Sequence, residues 1–297
     1  MMTTTPESAA PPGPLGIIAA GGAMPRRLAD DVRASGRAVY IVAIREFAEA
    51  GLYAGLPHRL VRLGAAGQLI EAFRAAGVRE LVMLGRAHRP SLLALLPDAW
   101  TAAAMARIGR GFLTGGDDTL LRGITRVLEE EGFTVRGVHE LRAGLTAPQG
   151  LLAGAAPDAG QAADIRRGIA VLRALGPVDV GQAVVVQQGL VLAVEAIEGT
   201  DAMLARAGGL RREGPRGVMV KLAKPSQDLR LDMPTIGPVT IESAAAAGLA
   251  GIAIDAQRTL VTEREACVAL AIQHGLFILS LDPEATIPEV FPKETPP

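Results

Sequence analysis

The sequence contains no asparagine, only three lysines among its 30 basic residues, and a single cysteine. One cysteine, Cys267, excludes an intramolecular disulfide and any cysteine-rich metal site; its place in an apolar helical stretch reads as inert packing. Aromatic residues are only 3% of the chain, too few for the stacking platforms that hold single-stranded nucleic acid. The formal net charge is -1, so no bulk field draws the protein to nucleic acid or to an anionic membrane. No apolar run approaches the ~18 residues that a membrane span requires. Residues 1–14 lack both the basic and the apolar region of a signal peptide, and their Thr, Ser and Pro content reads as a disordered extension. The expectation is a cytoplasmic protein that binds no nucleic acid.

What is present is the ordinary balance of a soluble globular chain, 49% hydrophobic and 21% charged, with 297 residues giving room for two domains. Leu15–Ala20 is a strand candidate followed by Gly21-Gly22, a helix over Pro25–Ser35 and a strand over Ala38–Ala43. The pattern recurs: a helix over Gln68–Ala76, a strand over Glu80–Leu84, a helix capped by Asp117 or Asp118, and a strand over Phe133–Val138. Residues 15–147 are therefore expected to form a Rossmann-like α/β domain with a parallel sheet. A Pro, Gly and Ala-rich linker covers 148–163. Residues 164–284 follow as a mixed α/β domain. It opens with a hairpin of Ala183–Val186 and Leu190–Val194, and its last helix is capped by Thr262 and Glu265. Residues 285–297 read as a flexible tail.

Several places could carry chemistry. Gly21-Gly22 sits at a strand's carboxyl end, where backbone N–H groups can cradle an anion or merely form a tight turn. The full G-x-G-x-x-G fingerprint is missing, which disfavours a nicotinamide-dependent dehydrogenase. Arg86, His88 and Arg89 follow another strand end, and a solvated surface role fits them equally well. Glu195, Glu198 and Asp201 stand three residues apart at a strand-to-helix corner, as helix-start acids or as Mg²⁺ ligands. The segment from Lys221 to Pro238 is the most pointed. It holds Lys221 and Lys224, two of the three lysines, together with Asp228, Arg230 and Asp232, which share one side if the segment is extended. Its prolines stiffen it, as an irregular site for phosphate and metal requires.

The residues Asp179-Val180-Gly181-Gln182, Val194-Glu195 with Glu198-Gly199-Thr200-Asp201-Ala202-Met203, and Lys224-Pro225 with Gln227 to Gly237 resemble a known family. It is the UDP-2,3-diacylglucosamine pyrophosphatase family of lipid A biosynthesis, of the type unrelated to the metallophosphoesterase version. Gly16–Pro25, Gly116-Asp117-Asp118 and Leu120-Leu121-Arg122 extend the likeness from Leu15 to Leu281, although Ala20 stands where the family usually has a third glycine. The resemblance implies a two-domain enzyme with its substrate between the domains, cleaving that lipid-linked UDP-sugar to UMP and 2,3-diacylglucosamine 1-phosphate with Mg²⁺ or Mn²⁺. It implies Asp232 as the essential metal carboxylate, with Glu198 and Asp201 beside it. Lys221, Lys224 and Arg230 are expected to stabilise the leaving phosphate, and Gly21, Gly22, Gln182, Thr200, Gln227 and Thr235 to contact substrate. Two acyl chains add peripheral contact with the inner membrane, for which Leu92–Leu96 is one candidate segment, and the reading allows a homodimer. The alternative is a sugar-nucleotide binding protein without hydrolytic activity.

Overall fold

The computed structural model describes residues 13–49, 51–87, 96–108, 117–142, 144–225 and 227–285. His88, Arg89, most of Leu92–Leu96, the side chains of Asp117 and Asp118, and both chain ends lie outside the described residues. The chain divides into two compact units, Met1–Arg142 and Ala143–Pro297, and both are α/β.

The first unit runs β1 (Leu15–Ala19), α1 (Met24–Ala34), β2 (Val39–Ile44), β3 (His58–Val61), α2 (Ala66–Ala75), β4 (Glu80–Leu84), α3 (Ala99–Ile108), α4 (Asp117–Glu130), β5 (Thr134–Val135) and α5 (Val138–Leu141). Its five strands are all parallel, in the order β3-β2-β1-β4-β5. Parallel strands are covered on both faces, which is why β1 and β2 read as near-continuous apolar runs. Helix α1 carries Pro25 in its first turn, where the missing N–H costs nothing, and buries Leu28, Ala29 and Val32. The fully buried Phe73 of α2 meets Tyr40 and Phe133 edge-on, with ring centroids 6.3 and 6.2 Å away.

The second unit runs β6 (Gly150–Ala153), α6 (Ala159–Leu175), a 3₁₀ turn (Gly176–Val178), β7 (Ala183–Gln187), β8 (Leu190–Val194), α7 (Thr200–Gly208), β9 (Val218–Lys221), β10 (Thr235–Ile236), α8 (Pro238–Ala246), β11 (Gly251–Asp255), β12 (Leu260–Val261), α9 (Arg264–Gln273) and β13 (Phe277–Leu281). Six strands form a mixed sheet ordered β6-β13-β11-β9-β7-β8. Strands β9, β11 and β13 are parallel; β6 joins β13 antiparallel, and the β7–β8 hairpin joins β9 antiparallel. The two-residue period of a strand divides the core. Val218 and Val220 pack with Ile165, Ile169 and Leu172 of α6, while Met219 packs with Met203, Leu204 and Ile241 on the opposite face.

The expected boundary shifts. The segment 148–163, read as a linker, supplies β6 and the first turn of α6, so its alanines and glycines are structural rather than connecting. Helix α6 opens on a capping box: Asp158 Oδ1 accepts from Gln161 N at 2.8 Å, and Gln161 Oε1 accepts from Asp158 N at 3.0 Å. The box expected at Thr262 and Glu265 does not form. Thr262 donates to Ile236 O at 3.3 Å, and Glu263 takes a left-handed φ of 52° ahead of α9. Within α6, the buried Asp164 turns both carboxylate oxygens on the hairpin tip. They accept from Gly189 N at 2.6 Å and Gln188 N at 2.9 Å.

Candidate functional site

The strand directions set the site. In parallel β9, β11 and β13 the carboxyl ends share one edge of the sheet. Because β7 runs antiparallel, its start lies on that edge, and so does the end of β8. Lys221 closes β9, Asp255 closes β11, Glu195 follows β8, and Gln182 precedes β7.

Lys221 is 5% exposed and lies one strand position past the buried Val220. Its Nζ donates to Thr200 Oγ1 at 2.8 Å, and that hydroxyl donates to Glu195 Oε1 at 2.6 Å. Glu195 is itself buried; its Oε2 stands 3.7 Å from Lys221 Nζ and accepts from Gln182 N at 3.1 Å. A buried ion pair survives only when its remaining polar atoms are satisfied, and the Thr200 hydroxyl and the Gln182 amide do this. Gly181 lets the strand start approach: its φ is +56°, and a Cβ there would fall 2.0 Å from Glu195 O.

Asp232 joins from the far end of the polar loop. Its Oδ2 accepts from Gln182 Nε2 at 2.9 Å and from Gln227 Nε2 at 2.6 Å. Gln227 is buried and its Oε1 accepts from Lys224 N at 3.0 Å, while Lys224 Nζ pairs with Asp179. Asp232 is only half-buried by surface, yet it is enclosed enough that desolvation pushes its carboxyl above the usual range; the charge of Lys221, the Gln182 amide, the charge of Lys224 and the Gln227 amide act against that. The result is a connected chain of contacts: Lys221, Thr200, Glu195, Gln182, Asp232, Gln227, Lys224, Asp179.

The structure thus brings together Lys221, Lys224, Gln182, Thr200, Gln227 and Asp232. Other expected residues stand apart. Glu198 Oε1 pairs at 2.6 Å with Arg206 Nη2, and Asp201 is exposed in the first turn of α7. Asp228 and Arg230 do not share an extended side with Asp232. Residues 229–231 form a turn in which Leu231 N donates to Asp228 O at 2.9 Å, and Arg230 folds back onto Asp228 at 2.7 Å. Thr235 is exposed and donates to Met233 O at 2.9 Å. In the first unit, the Gly21 N–H is taken by Arg86 O at 2.9 Å in an isolated bridge, so that amide is not free to cradle an anion. Gly22 has φ +87° with open space where a side chain would lie.

Among the described residues no group of three His, Cys, Asp or Glu side chains could hold a metal, so the expected trio of Asp232, Glu198 and Asp201 does not assemble. A single carboxylate still fits Mg²⁺, which takes one or two carboxylates and completes its shell with water and substrate phosphate. Both amide hydrogen bonds fall on Oδ2; Oδ1 accepts none among the described residues. The resemblance places Glu198 and Asp201 beside Asp232, whereas Glu195, the first acid of the same three-residue spacing, is the one that the end of β8 delivers to the edge. Asp179 and Asp255 carried no separate signal.

A family model described as the LpxI N-terminal domain matches residues 14–145, and one described as the LpxI C-terminal domain matches residues 148–279. A curated relative from Caulobacter vibrioides, UDP-2,3-diacylglucosamine pyrophosphatase LpxI, is 43% identical over 278 residues, covering 91% of this chain and 98% of that protein. Among solved structures, a GalE-like L-threonine dehydrogenase from Cupriavidus necator in its holo form aligns with a TM-score of 0.29 at 14% identity, over 93% of this chain and 97% of the other. That likeness is too low to bear on fold or activity.

Proposed function

This chain belongs to the LpxI family, and on that premise we propose that it hydrolyses the pyrophosphate of UDP-2,3-diacylglucosamine in lipid A biosynthesis, releasing UMP and 2,3-diacylglucosamine 1-phosphate with Mg²⁺. The observation that carries the reading is Asp232, whose carboxylate is aimed by two glutamine amides and lies in the field of two lysines. Asp232 would hold the cation through Oδ1, and Mg²⁺ when bound supplies neutralisation of pyrophosphate charge. Gln182 and Gln227 fix the carboxylate's orientation, so no reorganisation is needed at the moment of reaction. Lys221 and Lys224 bring positive charge to the edge where a leaving phosphate becomes more anionic. Glu195 and Thr200 hold the Lys221 ammonium in place.

Two acyl chains would keep such a substrate in the inner membrane, so peripheral contact belongs to the proposal. No helix among the described residues is long and apolar enough to cross a membrane. Ile197, fully exposed two residues past Glu195, is a side chain suited to that contact.

The test is release of UMP from the diacylated sugar nucleotide by the purified chain, with and without divalent metal. Turnover should require the metal, and Asp232→Ala should lower it at least about a thousandfold, the equivalent of about 4 kcal/mol, with an unchanged melting transition. Unchanged turnover in that variant overturns the role given to Asp232. Substrate binding with no UMP formed under any metal favours a sugar-nucleotide binding protein instead.

A further inference from the structure

Two glutamines donate to the same oxygen of Asp232, and they differ in what their other arm does. Gln227 is engaged at both ends: Nε2 donates to Asp232 Oδ2 at 2.6 Å, and Oε1 accepts from Lys224 N at 3.0 Å. Gln182 Nε2 donates to Asp232 Oδ2 at 2.9 Å, but its Oε1 is closed off from solvent and accepts no hydrogen bond. The two arms cannot be exchanged, because an oxygen turned to Asp232 would meet a carboxylate oxygen with no proton between them. A buried amide oxygen without a partner costs free energy, so its place in a working site calls for one.

As the second arm of an amide that already touches Asp232, that oxygen lies beside the same carboxylate. Asp232 Oδ1 likewise accepts nothing among the described residues. Neighbouring acceptor oxygens need a donor or a cation, and charge decides between them. Lys221 is matched by Glu195 at 3.7 Å and Lys224 by Asp179. Asp232, the third carboxylate of the network, is paired with no ammonium or guanidinium among the described residues, so one negative charge is left over. Size points the same way. Oε1 has no surface open to water, whereas Mg²⁺ bonds oxygen at about 2.1 Å, nearer than the roughly 2.8 Å at which a water stands.

We propose that Gln182 is a second protein ligand of the cation, with Oε1 coordinating beside Asp232 Oδ1 while Nε2 holds Oδ2. The inference rests on the metal-dependent reading above and gives Gln182 a task apart from orienting the carboxylate.

The test is titration of the full chain with Mn²⁺ in the absence of substrate, followed by the electron paramagnetic resonance signal of the free ion. Gln182→Leu should weaken binding about tenfold or more. Gln182→Glu should bind within about threefold of the wild type or more tightly, since a carboxylate is the stronger oxygen ligand. Gln227→Glu is the control. The Gln227 oxygen is already engaged by Lys224 N, so this change only sets a carboxylate against Asp232 and should weaken binding about tenfold. Equal binding by the two glutamate variants overturns the proposal, because it is the mark of residues that merely orient Asp232. A folded Gln182→Leu variant that binds as the wild type does overturns it too. If the leucine variant fails to fold, the comparison of Gln182→Glu with Gln227→Glu decides alone. No Mn²⁺ bound by the wild-type chain overturns the ligand set, while metal-dependent UMP release would still uphold the hydrolase reading.

Discussion

The two units are both α/β, one on a parallel sheet and one on a mixed sheet, and they gather charge at opposite strand ends. The first does so at the amino end of β4, in part-hydrated surroundings. Glu80 there is clasped by Arg37 and Arg136, both at 2.7 Å, and the Arg136 side chain is 42% exposed. In the second unit the charge stands at the carboxyl end of a strand, on Lys221, which closes β9, is 5% exposed and is paired inside the protein. An arginine fork suits a partly hydrated clasp, whereas a compact ammonium can be enclosed by a hydroxyl and a carboxylate. Scarce lysine is thus placed where charge is costly to bury, and it is there that the contacts converge.

The comparison breaks most sharply at Lys221. Lys221→Ala strands Glu195 as a buried, unpaired charge and should cost about 3–5 kcal/mol in urea denaturation. The double variant Lys221→Met with Glu195→Gln should recover most of that loss, since no charge is left behind. A single-variant cost below about 1 kcal/mol, the surface-pair value, would place the pair in water after all. Asp255 comes next. Its folded pKa of about 6 lies above that of an unfolded aspartate, so the protein loses stability as pH rises from roughly 4 to 6 and does not regain it. Asp255→Asn should therefore raise stability at pH 7 by about 2 kcal/mol and flatten melting curves across that window. The smallest effect belongs to the first unit. Arg136, above all, and Arg37 hold the Glu80 carboxyl below the ordinary range against desolvation. Its contribution is present at neutral pH and lost as pH falls through that lowered pKa. Glu80→Gln should cost no more than about 1 kcal/mol at pH 7, and nothing measurable at pH 2.

Much of this was legible beforehand, for local reasons. The strand Glu80–Leu84 and the Ala183 and Leu190 hairpin stand where short apolar runs bounded by turn residues put them. Asp232, Lys221 and Lys224 stood out by charge scarcity and motif. Helix α6 escaped because its Ala- and Gly-rich start resembles a linker, although Asp158 and Gln161 spell its cap. The equal spacing of Glu195, Glu198 and Asp201 does not say which acid faces the site; the end of β8 delivers Glu195, and Glu198 turns to Arg206. Asp255 could not be found at all, since only the fold buries its carboxylate at the end of β11.

Asp164 sits at the opposite end of the hairpin from Gln182 and Glu195, where it grips the amides of Gln188 and Gly189. A hairpin that slipped by one residue would turn Glu195 outward and offer Val194 in its place, since every side chain changes face together. By pinning the tip, Asp164 acts as a proofreader of strand alignment, so a substitution there reaches the Lys221–Glu195 pair at the far end of the hairpin by mispairing the strands.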